Sequence, residues 1–216
     1  RARSALPDVT TVQLAAGNLS MWKQSIVPAV RMLLVLTVLT GVLYPLTITA
    51  AALLAFPAQA NGSLVQRDGV IVGSALIGQA NDDARYFWPR PSAVAYMDGS
   101  TPGSLGSSGA SNLAPTSTTL ADQVAVRAAD FRAANDLTAT APIPPDMLTA
   151  SGSGLDPHIS PAAARAQVAR VAASRGIRAP DVAALVEEHL ERPQFGFLGE
   201  TRVNVLALNL ALDRLE

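Results

Sequence analysis

The stretch Met32–Phe56 reads MLLVLTVLTGVLYPLTITAAALLAF, 25 residues without a charge. The wider interval between Arg31 and Arg67 holds no Asp, Glu, Lys or Arg. A helix rises about 1.5 Å per residue, so this length crosses a hydrocarbon core of roughly 30 Å with some left for tilt. A buried helix of a soluble domain rarely runs so far without a polar face. Residues 32–56 are therefore expected to form one transmembrane helix. A secretory signal is the rival reading, with Lys23 and Arg31 as its basic region and Ala58-Gln59-Ala60 as a small-x-small cleavage site. The apolar core of a signal is usually about 7–15 residues. This one is much longer, which favours an uncleaved anchor.

Working outward, flanking charge sets the orientation. Residues 1–31 carry Arg1, Arg3, Lys23 and Arg31 against Asp8, whereas the far side offers first only Arg67 beside Asp68. The excess of Lys and Arg on cytoplasmic flanks places residues 1–31 in the cytoplasm and 61–216 outside. The expected arrangement is one crossing of a cell membrane, with the N-terminus cytoplasmic. Residues 1–20 show no clear period and precede Met21, a natural start, so they are expected to be a disordered or untranslated extension. Within the span, Thr37, Thr40, Gly41, Tyr44, Thr47 and Ala51 recur at spacings of three and four. Such a stripe lets another helix approach closely, although Thr is also simply tolerated in lipid. Pro45 should kink the helix or loosen one backbone bond.

Composition agrees with an anchor plus a domain. The chain is 49% hydrophobic and 15% charged, against about a quarter charged in an ordinary soluble domain. Net charge is −1, which gives no electrostatic footprint for nucleic acid. With no Cys, disulfides, thiol catalysis and Cys-ligated metals are excluded.

Residues 61–216 are long enough to bury a core and read as an α+β domain with a small antiparallel sheet and about four helices. Leu64 to Gly73 places two apolar runs around Asp68-Gly69, a hairpin signal, with Leu76-Ile77-Gly78 as an extension of the second strand. Tyr86-Phe87-Trp88 lies among Arg85, Pro89, Arg90 and Pro91, either a binding platform or part of the domain's own core. Asp98 to Thr119 is a long polar loop. Leu120, Val124, Ala128 and Phe131 share a helical face, with Thr118 or Thr119 as cap and Asp122 in the first turn. Asp146 to Ser151 is expected as a short strand. Ser160-Pro161 opens a second helix and Gly176 ends it. Its inner face is Ala164, Val168, Val171 and Ala172. Pro180 opens a third, with Val182, Leu185, Val186 and Leu190 inward and Pro193 at its end. Val203, Leu206, Leu210 and Leu215 line a last helix.

The chain contains no G-x-x-x-x-G-K-[ST] loop, no Asp-Lys-Thr-Gly phosphorylation sequence and no Thr-Val-Gly-Tyr-Gly filter. A single span without ionisable groups cannot line an ion path alone. The densest polar cluster is Ser151-Gly152-Ser153-Gly154-Leu155-Asp156-Pro157-His158-Ile159-Ser160. A serine hydrolase would need the G-x-S-x-G spacing, which is missing here. A metal site would need a third ligand beyond Asp156 and His158, and the only other His is His189. The plain reading is a Gly-rich turn leading into a capped helix. Backbone N–H groups of such a turn could also hold an anion or a partner's carboxylate, with Arg165, Gln167 and Arg170 on the helix that follows.

Taken together, from Met21 to Leu215, the chain closely resembles the KdpC family, the small third component of Kdp-type potassium-transporting P-type ATPases. The resemblance is carried by Thr40-Gly41-Val42-Leu43-Tyr44-Pro45-Leu46, Gln59-Ala60-Asn61-Gly62-Ser63-Leu64, Ile77-Gly78-Gln79, Tyr86-Phe87-Trp88 with Arg90-Pro91-Ser92, and Ser111-Asn112-Leu113. Its most specific part is Thr149 to Pro161, and Arg202 to Asp213 also fits. The resemblance implies an accessory subunit with no tightly bound cofactor, partnered by a potassium-channel-like subunit and a P-type ATPase catalytic subunit, with lipid around its helix. It also implies a catalytic-chaperone role that raises ATP affinity, with ATP as a ligand shared with the ATPase subunit and Gln167 as a contact. ATP is cytoplasmic, whereas flanking charge puts the domain outside, and the topology weighs against that part. The segment Asp98 to Gly109 is longer than usual for the family, and residues 1–20 have no counterpart. The outer domain carries 12 basic and 16 acidic residues, which implies a weak bias for cations near the mouth of the potassium subunit. The competing reading is a stand-alone anchored binding protein or hydrolase with a deep pocket around Ser153 and His158.

Overall fold

The computed structural model describes residues 9–96 and 107–215. It divides into two compact units between Asn61 and Gly62.

The first unit is helical. Helix α1 (Val9–Val38) runs into a π-helical turn at Leu39–Leu43 and continues as α2 (Tyr44–Ala55), followed by the short helix α3 (Pro57–Ala60). The membrane-length apolar helix spans Trp22–Ala55, 34 residues, and none of its apolar window is buried within the chain. At about 1.5 Å per residue it is longer than a bilayer core, so its charged N-terminal end, with Lys23 and Arg31, can reach the headgroups. Phe56, the last residue expected in the span, leaves the helix with φ −139°. Residues 9–20 belong to α1, and residues 1–8 lie outside those described.

The π turn sits directly before Pro45, and its physical cause is that residue. The proline ring has no N–H for the Gly41 carbonyl and would collide with it. The backbone widens by one residue, and Tyr44 N–H reaches the Leu39 carbonyl instead. Thr47 Oγ1 donates to the Leu43 carbonyl at 2.7 Å, and Thr40 Oγ1 to Leu36 at 2.7 Å. Both are i to i−4 bonds that pair the hydroxyls with the helix's own backbone.

The second unit begins with a hairpin. Strands β1 (Leu64–Arg67) and β2 (Val70–Ser74) pair antiparallel, with a register shift between Val65 and Gln66. Asp68 and Gly69 both take positive φ, 51° and 79°, as a two-residue type I′ turn requires. Leu76-Ile77-Gly78 does not extend β2. The chain turns at Ala75, and Ser74 Oγ caps the turn by accepting from Leu76 N–H at 3.1 Å.

Helix α4 covers Thr118–Ala134. Its cap is Ser117, whose hydroxyl accepts from Leu120 N–H, not Thr118 or Thr119 as expected. Asp122 consequently falls beyond the first turn. Of the polar loop, residues 98–106 lie outside the described residues. Asp146 starts no strand: Pro145–Met147 is a 3₁₀ turn, favoured by consecutive prolines that remove ladder donors.

Strand β3 (His158–Ile159) leads into α5 (Pro161–Arg175), then α6 (Ala179–Glu188), β4 (Leu190–Glu191), β5 (Arg202–Asn204) and α7 (Val205–Leu212). The three strands form one antiparallel sheet in the order β3-β5-β4. Ser160 caps α5 with its hydroxyl on Ala163 N–H, and Gly176 closes the helix at φ 67°, both as the sequence implies. Helix α6 ends at Glu188, well before Pro193, because the chain turns there to enter β4. The last helix is shorter than expected. Val203 belongs to β5, and the inward face of α7 is Val205, Leu208, Asn209 and Leu212, not Leu206, Leu210 and Leu215. An all-round apolar run gives no period to read.

The core lies among α5, α6, α7 and the sheet, with Val171, Val182, Val186, Val203 and Leu208 fully buried, Phe131 closing it from α4 and Met147 from the 3₁₀ turn. Phe87 is fully buried in the same cluster, with Trp88 packed against it. Of the aromatic run, Phe87 is therefore core, with Trp88 and Tyr86 half-buried beside it.

Candidate functional site

The Ser151–Ser160 segment folds into a compact turn whose polar groups close on themselves. Ser151 is buried; its N–H donates to the Pro91 carbonyl at 3.1 Å and its hydroxyl accepts from Gly154 N–H at 2.8 Å. Ser153 Oγ accepts from Leu155 N–H, and its carbonyl takes Gly109 N–H at 2.8 Å and Ser108 Oγ at 3.0 Å. The Ser92 hydroxyl lies 2.7 Å from the Gly154 and Val94 carbonyls. Leu155 accepts from Gly78 N–H at 2.8 Å. One turn thus gathers three segments distant in sequence, around Gly78, Ser92 and Gly109.

The two glycines of this turn do different things. Gly154 adopts φ +72°, and a Cβ there would stand 2.4 Å from Val94 Cγ2 and 2.7 Å from the Gly109 carbonyl oxygen. Gly152 lacks positive φ and would meet nothing within 4 Å.

At the other end of the segment, Asp156 accepts from Arg90 Nη1 at 2.9 Å and from His158 N–H at 3.0 Å. Burial alone would raise this carboxyl, but hydrogen bonds from His158 and Arg90 outweigh it and hold it at about 2. The His158 ring lies between two carboxylates, with Nδ1 3.6 Å from Asp156 and Nε2 3.4 Å from Glu191. Glu191 in turn accepts from Arg202 Nε at 2.9 Å. Ser160 donates its N–H and its hydroxyl to Asp146. A cleft of about 320 Å³ opens here, lined by Arg90, Asp146, Asp156, His158, Glu200 and Arg202. Ser151 and Ser153 are not among its walls. The imidazole faces carboxylates, Ser151 and Ser153 face backbone and the Ser160 hydroxyl faces Asp146, so the constellation does not set up a nucleophile and base. The other histidine, His189, has Nδ1 2.9 Å from the Leu185 carbonyl of its own helix. A larger recess, about 660 Å³, lies instead beside Trp88, Pro91, Val94, Tyr96 and Phe131.

Gln167 is 0% exposed. Its Oε1 accepts from Trp88 N–H at 2.8 Å and from Arg170 Nη2 at 2.7 Å, and its Nε2 donates to Ala163 at 3.2 Å. The position offered as a nucleotide contact is enclosed, and its side-chain amide is bonded within the domain. Arg165, on the same helix, pairs at the surface with Glu187 at 2.7 Å.

Sequence reading did not single out Arg170 as an internal residue, yet it organises this region. Its guanidinium lies 4.2 Å from the Trp88 ring centroid and donates to the Ala84 and Tyr86 carbonyls and to Asn135. Burial lowers its pKa to about 10, against a smaller opposing effect of Asp83. Asn209 was also missed. It holds Phe87 by both backbone groups, at 2.9 and 3.0 Å. The available signal was polar residues at core spacing on α5 and α7. Of the membrane stripe, Thr37, Thr40, Gly41, Tyr44, Pro45 and Thr47 are all exposed on the helix, with the Thr40 and Thr47 hydroxyls already engaged by backbone.

Among the described residues, fold and site together define one helix long and apolar enough to cross a membrane, followed by an α+β domain braced by its own polar motif. A family model described as the K+-transporting ATPase c chain, KdpC, matches residues 26–214. The chain is 55% identical over 186 residues to the potassium-transporting ATPase KdpC subunit of Sorangium cellulosum, covering 86% of this chain and 95% of that one. It is 54% identical to the subunit of the same name from Methylococcus capsulatus, covering 87% and 96%, and 54% identical to that of Burkholderia vietnamiensis, covering 88% and 96%. The chain belongs to the KdpC family of potassium-transporting ATPase subunits.

Proposed function

We propose that the chain is a non-catalytic accessory subunit of a high-affinity, ATP-driven potassium uptake complex. It holds a channel-like subunit and a P-type ATPase subunit together, and its domain lies on the extracytoplasmic side. The observation that carries this reading is the closure of the Ser151–Ser160 turn. Its hydroxyls, its carboxylate and Gln167 are engaged within the domain, which suits a rigid body that binds proteins better than one that turns over substrate. The exposed membrane helix supplies the second support, since a lone apolar helix with a small-residue stripe around Gly41 suits packing between other helices. The charge asymmetry about the span supports the orientation. A part in raising ATP affinity has less behind it, because Gln167 is enclosed.

The test is affinity purification of the tagged chain, gently solubilised from membranes of potassium-starved cells. Recovery of a P-type ATPase and a channel-like subunit in fixed ratio is expected. Recovery of the chain alone, folded and monodisperse, would overturn the reading. The orientation has its own test. The chain has no Cys, so Val126→Cys on exposed α4 should react with an impermeant maleimide added outside spheroplasts, and labelling only after lysis would reverse the topology.

A further inference from the structure

Between β4 and β5 the chain projects a hairpin that the domain's own packing does not explain. Gln194 and Leu198 exchange backbone hydrogen bonds, at 3.0 and 2.9 Å, and Phe195-Gly196-Phe197 forms the tip. Phe195 is 86% exposed and Phe197 75%, with Leu198 beside them also exposed. Phe195 moreover sits at φ 54°, a region that a bulky side chain enters only at a cost and that glycine would enter freely. The fold therefore gains little from either phenyl ring and is strained by one of them. From Pro193 to Gly199 there is no charge.

The covalent structure narrows what can cover this tip. Helix α2 ends at Ala55 and β1 starts at Leu64. The eight residues between them, four of them helical in α3, span less than about 30 Å even at full stretch. So short a tether to a membrane-crossing helix raises the effective concentration of the domain's exposed apolar groups at the bilayer surface. Aromatic rings at an uncharged, convex tip are the side chains that partition into the headgroup layer.

We propose that the Phe195–Leu198 tip is a lipid-surface contact, seating its two rings and Leu198 in the interfacial layer of the bilayer that carries the chain's own helix. It gives the domain a second attachment point and so limits how the domain tilts over the membrane. The proposal rests on the reading of Trp22–Ala55 as a membrane span and extends it.

The test uses the full chain in vesicles of phosphatidylethanolamine and phosphatidylglycerol. Single cysteines, Phe195→Cys, Phe197→Cys, Leu39→Cys in the span and Val126→Cys on α4, carry a spin label. Collision with dissolved oxygen is compared with collision with a water-soluble nickel chelate. The tip labels are expected to favour oxygen, as the Leu39 label does, with the Val126 label showing the reverse. Adding Phe195→Gly to the Phe197 label, which relieves the backbone and leaves the fold intact, is expected to shift that label toward water. Tip labels matching Val126 would overturn the proposal. So would tip labels that read lipid-free alone and become shielded from both reagents only when the other members of the complex are present, since a protein would then be the occupant. A water-like Leu39 label would instead remove the membrane span itself.

Discussion

Replacing the two glycines of the Ser151–Ser160 turn separates a structural brace from a ligand-binding nest. Gly154→Ala forces an L side chain into φ +72° and sets its Cβ 2.7 Å from the Gly109 carbonyl oxygen and 2.4 Å from Val94 Cγ2. The left-handed conformation costs roughly 1–2 kcal/mol for a residue with a Cβ. Overpacking against backbone that cannot simply rotate away adds about 1–3 kcal/mol. The sum is about 3 kcal/mol, which for a domain of this size lowers Tm by roughly 10 °C. Gly152→Ala meets no atom within 4 Å and has no unusual φ to strain. It should change stability by less than about 1 kcal/mol, and in the stabilising direction if the unfolded chain loses freedom. The assay is thermal unfolding of each purified full-length variant, followed by near-ultraviolet circular dichroism, with growth on limiting potassium alongside. If Gly152→Ala abolishes growth with an unchanged Tm, backbone access at that glycine serves a ligand and the brace reading fails. Equal melting of both variants would refute the packing argument.

Other outcomes follow from the same geometry. Gln167→Leu leaves Trp88 N–H without its acceptor and Arg170 without one of its own; a loss of about 3 kcal/mol is expected in denaturant unfolding, with the ATP affinity of any complex that still assembles unchanged. Asp156 is held at about 2 in the fold against an ordinary 3.8, so its contribution, about 2 kcal/mol, is complete above pH 4 and lost as pH falls through that interval. Asp156→Asn should remove this part of the acid dependence, measured as a flatter stability curve between those values. In the span, a Cβ at Gly41 would touch only Thr37 Cγ2 at 3.9 Å, so Gly41→Leu leaves the helix itself intact and is expected to reduce copurification of the other subunits. Thr40→Val should not, because the Thr40 hydroxyl already bonds to Leu36.

Much of the fold could be read in the chain because its signals were local. The uncharged run before Arg67, the Asp68-Gly69 turn, the Ser160-Pro161 cap and the Gly176 stop each act within a few residues, and the structure uses them as local physics dictates. The misreadings arose where tertiary contacts decide. Helix α7 is apolar on nearly every side, so its inward face is chosen by what it packs on, namely the Phe87 backbone clamped by Asn209. Thr118 and Thr119 are equally plausible caps by type, and Ser117 wins by where the chain enters the helix. The candidate site was visible as composition but not as arrangement. Nothing in the spacing of Gln167 and Arg170 reveals that both turn inward onto Trp88, contacts separated by roughly eighty residues. Arg90 meeting Asp156 is of the same kind. Phe195 and Phe197 escaped notice for the opposite reason, since their significance lies in exposure that only the folded hairpin shows.

The central claim is that this chain holds a complex together without doing its chemistry, and depletion tests it most directly. Membranes from potassium-starved cells lacking the chain would be solubilised, and the tagged ATPase subunit purified with and without this chain added back. The account predicts that the channel-like subunit is lost from the ATPase subunit in its absence and recovered on adding it, including with His158→Ala and Ser153→Ala together. A stable, potassium-stimulated pair of subunits in its absence, or failure of the double variant despite normal folding and binding, would contradict it.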